Sequence, residues 1–512
     1  MDRLNKFTRF VYRIFKSKKF FYIVVGLLVL QAAWFALSAQ YPMAFDENYH
    51  FGIIQIYSHQ WLPFITSAPA GSGALGDITR FDSYLYHYLM SFPYRLIAIF
   101  INDQVTQIII LRLINIGLFV GGLFLFRRLF RRFNISERLI NFSLLMLVLI
   151  PVVPFLAATI NYDNLVFLLV PLTAIFTLNC TDEIIKNKKI PAKSLLLLIT
   201  ISLLSCLVKY AFLPIFTAEI LYLLFVFVRS KSRQKLLPTF TSSFKSLRLG
   251  VKAILVISLI VSAGLFIERY GVNLIQYHSV EPDCAKVQSV ATCMQYGPWA
   301  RDYQIAQDIT AHNTATVPPI GYYVPVWIAG MIYRLYFAIN YNYTNYPPLL
   351  IPFTIAAIIG ILGLILAVVY RRQIIRVNRR LLMLVLVIIL YVGGIVYSNF
   401  SEYLSYRQPL AINGRYLIIV LPFIFIIFGL AFKTWFIKLS KTKSSIIIAI
   451  TSVAVILLTL QGGGALTYLV RSQPNWYWQN KSLVDFNMNL KNAVSPFIIG
   501  NNTDWFYGYR QD

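Results

Sequence analysis

The sequence has little charge, few acidic residues and few cysteines. Charged residues make up 13% of the chain, whereas about 25% is usual in soluble proteins. Four cysteines among 512 residues exclude a small secreted domain built on disulfides. The P-loop pattern GxxxxGKS/T is missing, and no GxGxxG pattern opens a predicted helix, so we expect no nucleotide cofactor. These deficits also exclude a single water-soluble enzyme domain.

Apolar sequence dominates instead. Hydrophobic residues make up 58% of the chain and aromatic residues 16%. The 46 Lys and Arg exceed the 20 Asp and Glu and give a net charge of +26, which in a soluble protein would suggest a nucleic-acid partner. Here the basic residues lie between apolar runs and act as topology signals. We therefore expect an all-α polytopic membrane protein that is surrounded by membrane lipids and binds no nucleic acid.

Apolar runs of about 20 residues predict eleven transmembrane helices, because a bilayer core of about 30 Å needs that length. The runs are 20–39, 108–126, 139–158, 164–180, 194–208, 211–228, 253–270, 348–369, 381–399, 413–432 and 444–461. With the N-terminus in the cytoplasm, 32 of the 46 Lys and Arg fall in cytoplasmic loops and 15 of the 20 acidic residues fall outside. The first run has a second interpretation, a signal peptide cleaved near Ala36-Leu37-Ser38, although it exceeds the usual core of 7–15 residues. We expect a multi-pass protein of the plasma (inner) membrane.

This topology divides the chain into four parts. They are an N-terminal transmembrane catalytic module, 1–270, which includes a first outer loop, 40–107; a second outer loop, 271–347; C-terminal transmembrane helices, 348–461; and an outer tail, 462–512. The aromatic stretch 81–100 suits an interfacial helix, and 321–340 suits an interfacial or re-entrant one. Cys284 and Cys293 form a disulfide if the compartment is oxidising and are otherwise unpaired thiols.

Adjacent carboxylates follow the first span at its outer end, in Asp46-Glu47-Asn48-Tyr49-His50. Acidic residues at a membrane boundary are costly to desolvate, so they point to function. Burial would raise a carboxyl pKa and make a usable general base. On a helix His50 lies four residues from Asp46 and three from Glu47, so the three side chains could bind a divalent metal such as Mg, Mn or Zn. The alternative is a helix N-terminus whose dipole favours acidic residues.

Asp163 and Lys209 are the next candidates. Asp163 lies between the third and fourth spans, at the same predicted face as Asp46, and either acts on substrate or caps a helix. Lys209-Tyr210 interrupts an otherwise apolar stretch. Lys209 either extends to the lipid headgroups or binds a phosphate inside the bundle, with Tyr210 beside it as a substrate contact.

Arg407 and Gly414-Arg415-Tyr416 precede the tenth span on the outer side, against the positive-inside trend. An anion near Arg415, either a lipid headgroup or a substrate phosphate, would account for this. In the first loop, Arg80, Asp82 and Tyr86 lie in an aromatic stretch that forms either an interfacial anchor or a substrate-binding wall.

Acidic groups and cations therefore meet at one predicted face. A base beside phosphate-binding cations is suited to transfer of a group away from a phosphate leaving group. Nucleotide donors are not found outside the cell membrane, so we expect the donor to be a sugar carried on a polyprenyl phosphate.

The chain resembles the membrane glycosyltransferases of the GT-C fold, in the branch of the protein O-mannosyltransferases and the aminoarabinose transferase of lipid A. The resemblance rests on Asp46-Glu47, the stretch 82–93, Asp163, Leu207-Val208-Lys209-Tyr210 and Gly414-Arg415-Tyr416-Leu417. It covers the first 230 residues best.

The resemblance implies an inverting transfer by a GT-C-like bundle with interfacial helices on its outer face. Asp46 would be the general base, with Glu47 and Asp163 positioning the acceptor or a metal. Lys209 and Arg415, with Tyr416 and Arg407, would bind the donor phosphate. Asn48-Tyr49-His50-Phe51 departs from the two named relatives, and no large soluble domain is present, so the acceptor is left open as a glycan, a lipid or a protein. The rival function is a transporter or flippase of a lipid-linked saccharide.

Overall fold

A computed structural model describes residues 10–230, 233–312, 320–340, 342 and 344–499. Over these residues the secondary structure is almost entirely helical. The two strands found there, Ala338–Ile339 and Asn345–Tyr346, have two residues each and pair antiparallel. The expectation of an all-α polytopic membrane protein is confirmed.

Eight helices of the described chain are long and apolar enough to cross a membrane. They are Lys18–Ser38, Gln104–Arg132, Tyr162–Asn187, Tyr210–Arg229, Leu249–Tyr277, Leu350–Val369, Leu381–Tyr406 and Thr442–Leu460. The bent pair Glu137–Val148 and Val152–Ala158 adds a ninth if it is one span, and the apolar helices Ala192–Val208 and Leu421–Ile437 are shorter. A helix therefore lies at every predicted run, while the count of eleven spans stays a prediction.

The other described helices connect or flank these. They are Glu47–Ser58, Leu85–Phe100, Arg233–Lys245, Cys284–Val287, Val290–Cys293, Gly297–His312, Ile320–Tyr336, Arg371–Val377, Leu466–Arg471 and Lys481–Val494, with short 3-10 turns at Ser72–Leu75, Gly414–Ile419, Pro474–Trp476 and Ser495–Phe497. Leu85–Phe100 exposes one apolar side, including Leu96 and Phe100, as expected of an interfacial helix. Cys284 and Cys293 are joined by a disulfide.

The third apolar run is not the straight helix that its composition predicts. Its two halves are bent by 73°, next to Pro151, which has no backbone N–H to continue the first half. Every residue from 152 to 158 is buried, and Phe155 packs against Phe35 of the first helix. The bend therefore delivers the following loop, 159–161, to the end of the first helix.

The first helix is an integral part of the bundle. Phe21, Val24, Leu28 and Ala32 have no exposed surface and recur at helical spacing along one side. At its end, Gln40 N donates to Trp476 O at 2.8 Å and Trp478 N donates to Ser38 O at 3.0 Å. Both contacts include or flank residues 36–38, which favours a retained helix over a cleaved signal peptide.

Candidate functional site

The site is built around a strained turn at the end of the first helix. Phe45 and Asp46 both have left-handed backbone conformations, with φ of 71° and 66°. Such conformations cost about 1–3 kcal/mol each in non-glycine residues and persist only where neighbours enforce them. Asn161 supplies one such contact, because its side-chain N–H donates to Phe45 O at 2.8 Å. Glu47 lies in the first turn of helix Glu47–Ser58, as the helix-dipole alternative expects, but the preceding Asp46 makes no side-chain capping hydrogen bond.

Asp46 pairs with Arg415 instead. Arg415 Nη2 lies 3.0 Å from Asp46 Oδ2, and the side chains are 7% and 42% exposed, respectively. The guanidinium lies over the rings of Phe45, at 4.7 Å, and Tyr416, at 5.2 Å. Its Nε and Nη1 are buried without a hydrogen-bond partner among the described residues. Arg415 therefore retains donors for an anion while it is bound to Asp46.

Asp163 and Lys209 form a second ion pair, and this one is buried. Lys209 Nζ lies 2.5 Å from Asp163 Oδ1, and the side chains are 4% and 1% exposed. The ammonium also lies 4.5 Å from the Tyr162 ring and 4.9 Å from the Tyr416 ring. With so little exposure, Lys209 does not extend to lipid headgroups, so that alternative is wrong. Asp163 Oδ2 has no partner in the described chain.

Tyr416 contacts the cations of both pairs. Five of the predicted site residues are therefore brought together from distant parts of the sequence: Asp46, Asp163, Lys209, Arg415 and Tyr416. Asp163 is also in the first turn of its helix, but Asn161 is the cap there, because Asn161 Oδ1 accepts from Asp163 N at 2.8 Å. This leaves the Asp163 carboxylate for Lys209.

Glu47 has a different partner, which the sequence analysis missed. Arg112 donates through Nε to Glu47 Oε1 at 2.8 Å and through Nη2 to Oε2 at 2.7 Å, and both side chains are fully buried. Met43 N and Ile160 N also donate to the carboxylate. Arg112 was detectable as the only charge within the run 108–126. Glu47 thereby links the first helix, the second span and the 159–161 loop. Both of its carboxylate oxygens already accept hydrogen bonds, so neither is left for the predicted contact with an acceptor or a metal.

His50 pairs with His87, with Nδ1 and Nε2 2.8 Å apart and the rings nearly parallel. Burial lowers the pKa of His50 well below its ordinary value, and it lowers the pKa of His87 to about 3. Both rings are therefore neutral at physiological pH. Their edges face Tyr162, whose ring centroid is 4.6 Å from that of His50.

The predicted metal ligands Asp46, Glu47 and His50 each have another partner: Arg415, Arg112 and His87. Over the described residues, no group of three or more His, Cys, Asp or Glu is arranged to hold a metal ion. The donor set therefore does not fit a preformed metal site, and the divalent metal stays a prediction.

The remaining predicted residues surround the two ion pairs or lie elsewhere. Ser83 Oγ donates to Asp82 Oδ1 and accepts from Tyr210 N, both at 3.0 Å, so Asp82 is linked to the Lys209-Tyr210 segment. Burial raises the pKa of the Asp82 carboxyl well above its ordinary value. Tyr86 is fully buried, and its hydroxyl donates to Asn115 at 2.8 Å, so the prediction of a substrate-binding wall there is wrong.

Two arginines that were predicted as site residues, Arg80 and Arg407, have contacts outside the two ion pairs. Arg80 Nη1 pairs with Glu268 at 3.1 Å. Arg407 is the left-handed residue, with φ 56°, that ends helix Leu381–Tyr406. The predicted roles, substrate binding for Arg80 and phosphate binding for Arg407, stay predictions.

Comparison with known proteins adds no family to this picture: no family model matches the chain, and no curated protein or solved structure matches it either.

Proposed function

We propose that the protein is a membrane glycosyltransferase that moves a sugar from a polyprenyl-phosphate donor to an acceptor. The observation that carries the proposal is the convergence of two carboxylate–cation pairs on Tyr416. One carboxylate, Asp46, is accessible to an acceptor, and one cation, Arg415, keeps unused donors beside it. Group transfer from a phosphate needs both a base and charge stabilisation at the leaving group.

In the proposed reaction, Asp46 takes the proton of an acceptor hydroxyl. The acceptor oxygen forms a bond to the anomeric carbon as the bond from that carbon to the phosphate oxygen breaks. The electron pair leaves with the polyprenyl phosphate, whose negative charge Arg415 and Lys209 stabilise. Attack opposite the leaving group inverts the anomeric carbon. No step is derived through a metal ion.

The ion pairs support an order of events. Arg415 contacts Asp46 through Nη2 and has two further buried donors, so the anionic phosphodiester of the donor can bind the guanidinium. When the sugar–phosphate bond breaks, the phosphate gains a second negative charge, which Arg415 is placed to stabilise. Lys209 remains close to Asp163, whose short, buried contact fixes the ammonium in position.

The finer architecture belongs to the same proposal. Eleven spans in a GT-C-like arrangement, with a cytoplasmic N-terminus, would place the site at the extracytoplasmic face of the plasma (inner) membrane. The four parts of the chain, 1–270, 271–347, 348–461 and 462–512, keep their predicted roles in this arrangement. Arg415 and Asp46 come from two of them, so the catalytic module takes a contribution from the C-terminal helices.

The test is transfer of labelled sugar from a panel of polyprenyl-phosphate sugars by the purified protein in detergent, with membrane lipid extract as acceptor. We expect the wild type and Asp103→Asn to form labelled product and Asp46→Asn to form almost none. Asp103 is a matched control because it is an exposed helix cap, and asparagine caps equally well. Movement of an intact lipid-linked sugar across vesicles, without cleavage of the sugar–phosphate bond, would establish the flippase instead.

A further inference from the structure

A polar groove lies between the first loop and the disulfide-bonded segment. Residues 66–73 and Thr79 form one wall, and Val287, Gln288, Thr292 and Gln295 form the other. Its volume is about 520 Å³, within the range of about 300–1,000 Å³ that is typical of small-ligand sites.

The lining of the groove is uncharged. All thirteen lining residues are Ser, Thr, Gln, Gly, Ala, Pro or Val, in a protein of net charge +26. A phosphate, carboxylate or ammonium group bound there would have no counter-charge in the wall, and desolvating it would be costly. A neutral ligand rich in hydroxyls would exchange hydrogen bonds with amides and hydroxyls and lay its C–H surface on the alanines and the proline.

Some hydrogen-bond donors and acceptors of the groove lining are available to such a ligand. Within the described chain, the hydroxyls of Thr66 and Ser67 and the side-chain amide of Gln295 take part in no hydrogen bond. Thr66 and Ser67 are exposed, so ligand binding would not require them to break an internal contact.

The walls are fastened to one another. Asp77 Oδ1 accepts from Thr79 Oγ1 at 2.6 Å and from Gln288 Nε2 at 2.9 Å, which joins the two walls. The Cys284–Cys293 disulfide closes the second wall on itself. Gly73 is the point of closest approach, because a Cβ there would collide with the Gln295 side chain. The two walls of the groove are therefore held in fixed positions by these contacts and are not independent loops.

The pattern GxGxxG formed by Gly71, Gly73 and Gly76 serves this packing. It encloses the four-residue 3-10 turn Ser72–Leu75 and does not open a long helix whose N-terminus would bind a pyrophosphate. Gly71 and Gly76 have φ of 79° and 75°, a region that glycine adopts without steric cost.

Two tyrosines connect the second wall of the groove to the helix that begins after Asp46. Gln295 is followed by Tyr296, whose ring centroid lies 5.7 Å from that of Tyr49. Tyr49 is three residues from Asp46 and also contacts His50. The groove wall and the helix Glu47–Ser58, which follows Asp46, are therefore joined by direct ring contacts.

We propose that this groove binds the neutral saccharide portion of the acceptor, so that the acceptor is a glycan. The inference rests on the proposed function, because it takes Asp46 as the reacting end of the site. It adds the chemical class of the acceptor and the residues that select it: Thr66, Ser67 and Gln295.

The test fills the groove without touching the ion pairs. Ala70→Trp adds bulk at an exposed lining position, and Ala285→Trp adds the same bulk at an exposed position of the second wall's loop outside the lining. Binding of neutral oligosaccharides of two to six sugars to the full-length protein in nanodiscs is measured by saturation-transfer NMR and calorimetry. Charged oligosaccharides and peptides serve as competitors.

We expect Ala70→Trp to raise the Kd for neutral oligosaccharides by about tenfold or more, with Ala285→Trp close to wild type. Gln295→Ala should weaken binding by a smaller factor. Slow hydrolysis of the polyprenyl-phosphate sugar by water is measured in parallel on the wild type and on Ala285→Trp, and the two rates should be equal, because Ala285 lies outside the groove lining.

The outcomes separate the two proposals. Hydrolysis of donor by a wild type that binds no neutral saccharide, or that binds it equally in Ala70→Trp, overturns the groove inference and leaves the glycosyltransferase standing. Saccharide binding lost in Ala70→Trp without any donor turnover supports the groove and overturns the glycosyltransferase. Preferential binding of charged oligosaccharides or peptides overturns the inference that the groove binds a neutral saccharide.

Discussion

Asp46 and Glu47 are neighbours in the sequence and both bind an arginine, yet the two pairs are opposites. Glu47 and Arg112 share two hydrogen bonds, are fully buried, and leave no carboxylate oxygen unused. Asp46 and Arg415 share one contact, Asp46 is 42% exposed, and two guanidinium nitrogens have no partner in the described chain. A saturated pair fixes a fold, whereas an unsaturated, accessible pair can exchange one partner for a substrate. The comparison separates an acid suited to a structural role from one suited to the proposed reaction.

The largest effect we expect is on activity, in Asp46→Asn. Loss of the base should lower the transfer rate by about 10²–10⁴-fold. The melting temperature should change little, because a partly exposed ion pair contributes only about 0–1 kcal/mol. Initial rates and thermal unfolding are measured on the same preparation. A large loss of stability in Asp46→Asn would erase the contrast with Glu47.

Glu47→Gln should act on stability instead. It leaves Arg112 charged and buried, and breaking a buried pair from one side typically costs about 3–5 kcal/mol. Thermal unfolding in detergent measures this loss. In the double variant Glu47→Gln with Arg112→Met, the uncompensated charge is gone, so we expect part of the stability to return. A stable but inactive Glu47→Gln would instead make Glu47 a direct participant in the reaction.

Lys209→Met tests whether the second buried pair resembles the Glu47 pair or the Asp46 pair. If Lys209 binds the donor phosphate, losing a charged hydrogen bond of about 1.5–3 kcal/mol should raise the donor KM about ten- to a hundredfold. Lys209→Arg keeps the charge and should recover part of the affinity. An unchanged donor KM in a folded Lys209→Met would assign the Asp163–Lys209 pair to structure alone.

The smallest effect concerns pH. His87 is neutral when folded because its pKa is lowered to about 3, whereas an unfolded histidine takes up a proton near pH 6.5. The unfolded state therefore binds more protons between these values, so stability falls as the pH drops from about 6.5 toward 3. His87→Gln should reduce the slope of the melting temperature between pH 4 and 6.5, and the contribution of the buried His50 should remain. The exposed His59, in His59→Gln, is the control and should leave the slope unchanged.

Positions that break membrane charge rules were predictable from the sequence. Asp46, Asp163, Lys209 and Arg415 each stood out as a charge at or within an apolar run, and that cost is readable without knowing any partner. The sequence did not predict which of these charges form ion pairs, because that depends on how distant helices pack. Arg112 carried the same signal as Lys209, yet its partner proved to be the acid assigned to catalysis.

Two features could not be predicted from the sequence: which side chains face the interior, and where an apolar helix bends. The alternation of Tyr84, Tyr86 and Tyr88 does not say which ring faces the interior, and Tyr86 proved to be buried against Asn115. A hydropathy average is hardly changed by the single residue Pro151, so the sequence predicted one apolar run and not the bend of 73° in it. The long helices were predictable because length and hydropathy alone define them.

The contact between Arg415 and Asp46 has a consequence for biogenesis, because the two residues are 369 positions apart. A ribosome that adds about 5–20 residues per second needs roughly 20–75 s to make the intervening chain. During that interval the strained turn at Phe45-Asp46 has neither its arginine nor the Trp476–Trp478 segment that binds the end of the first helix. The proposed site is therefore incomplete while the N-terminal half is being made, and it is assembled only once the C-terminal helices have been translated and packed.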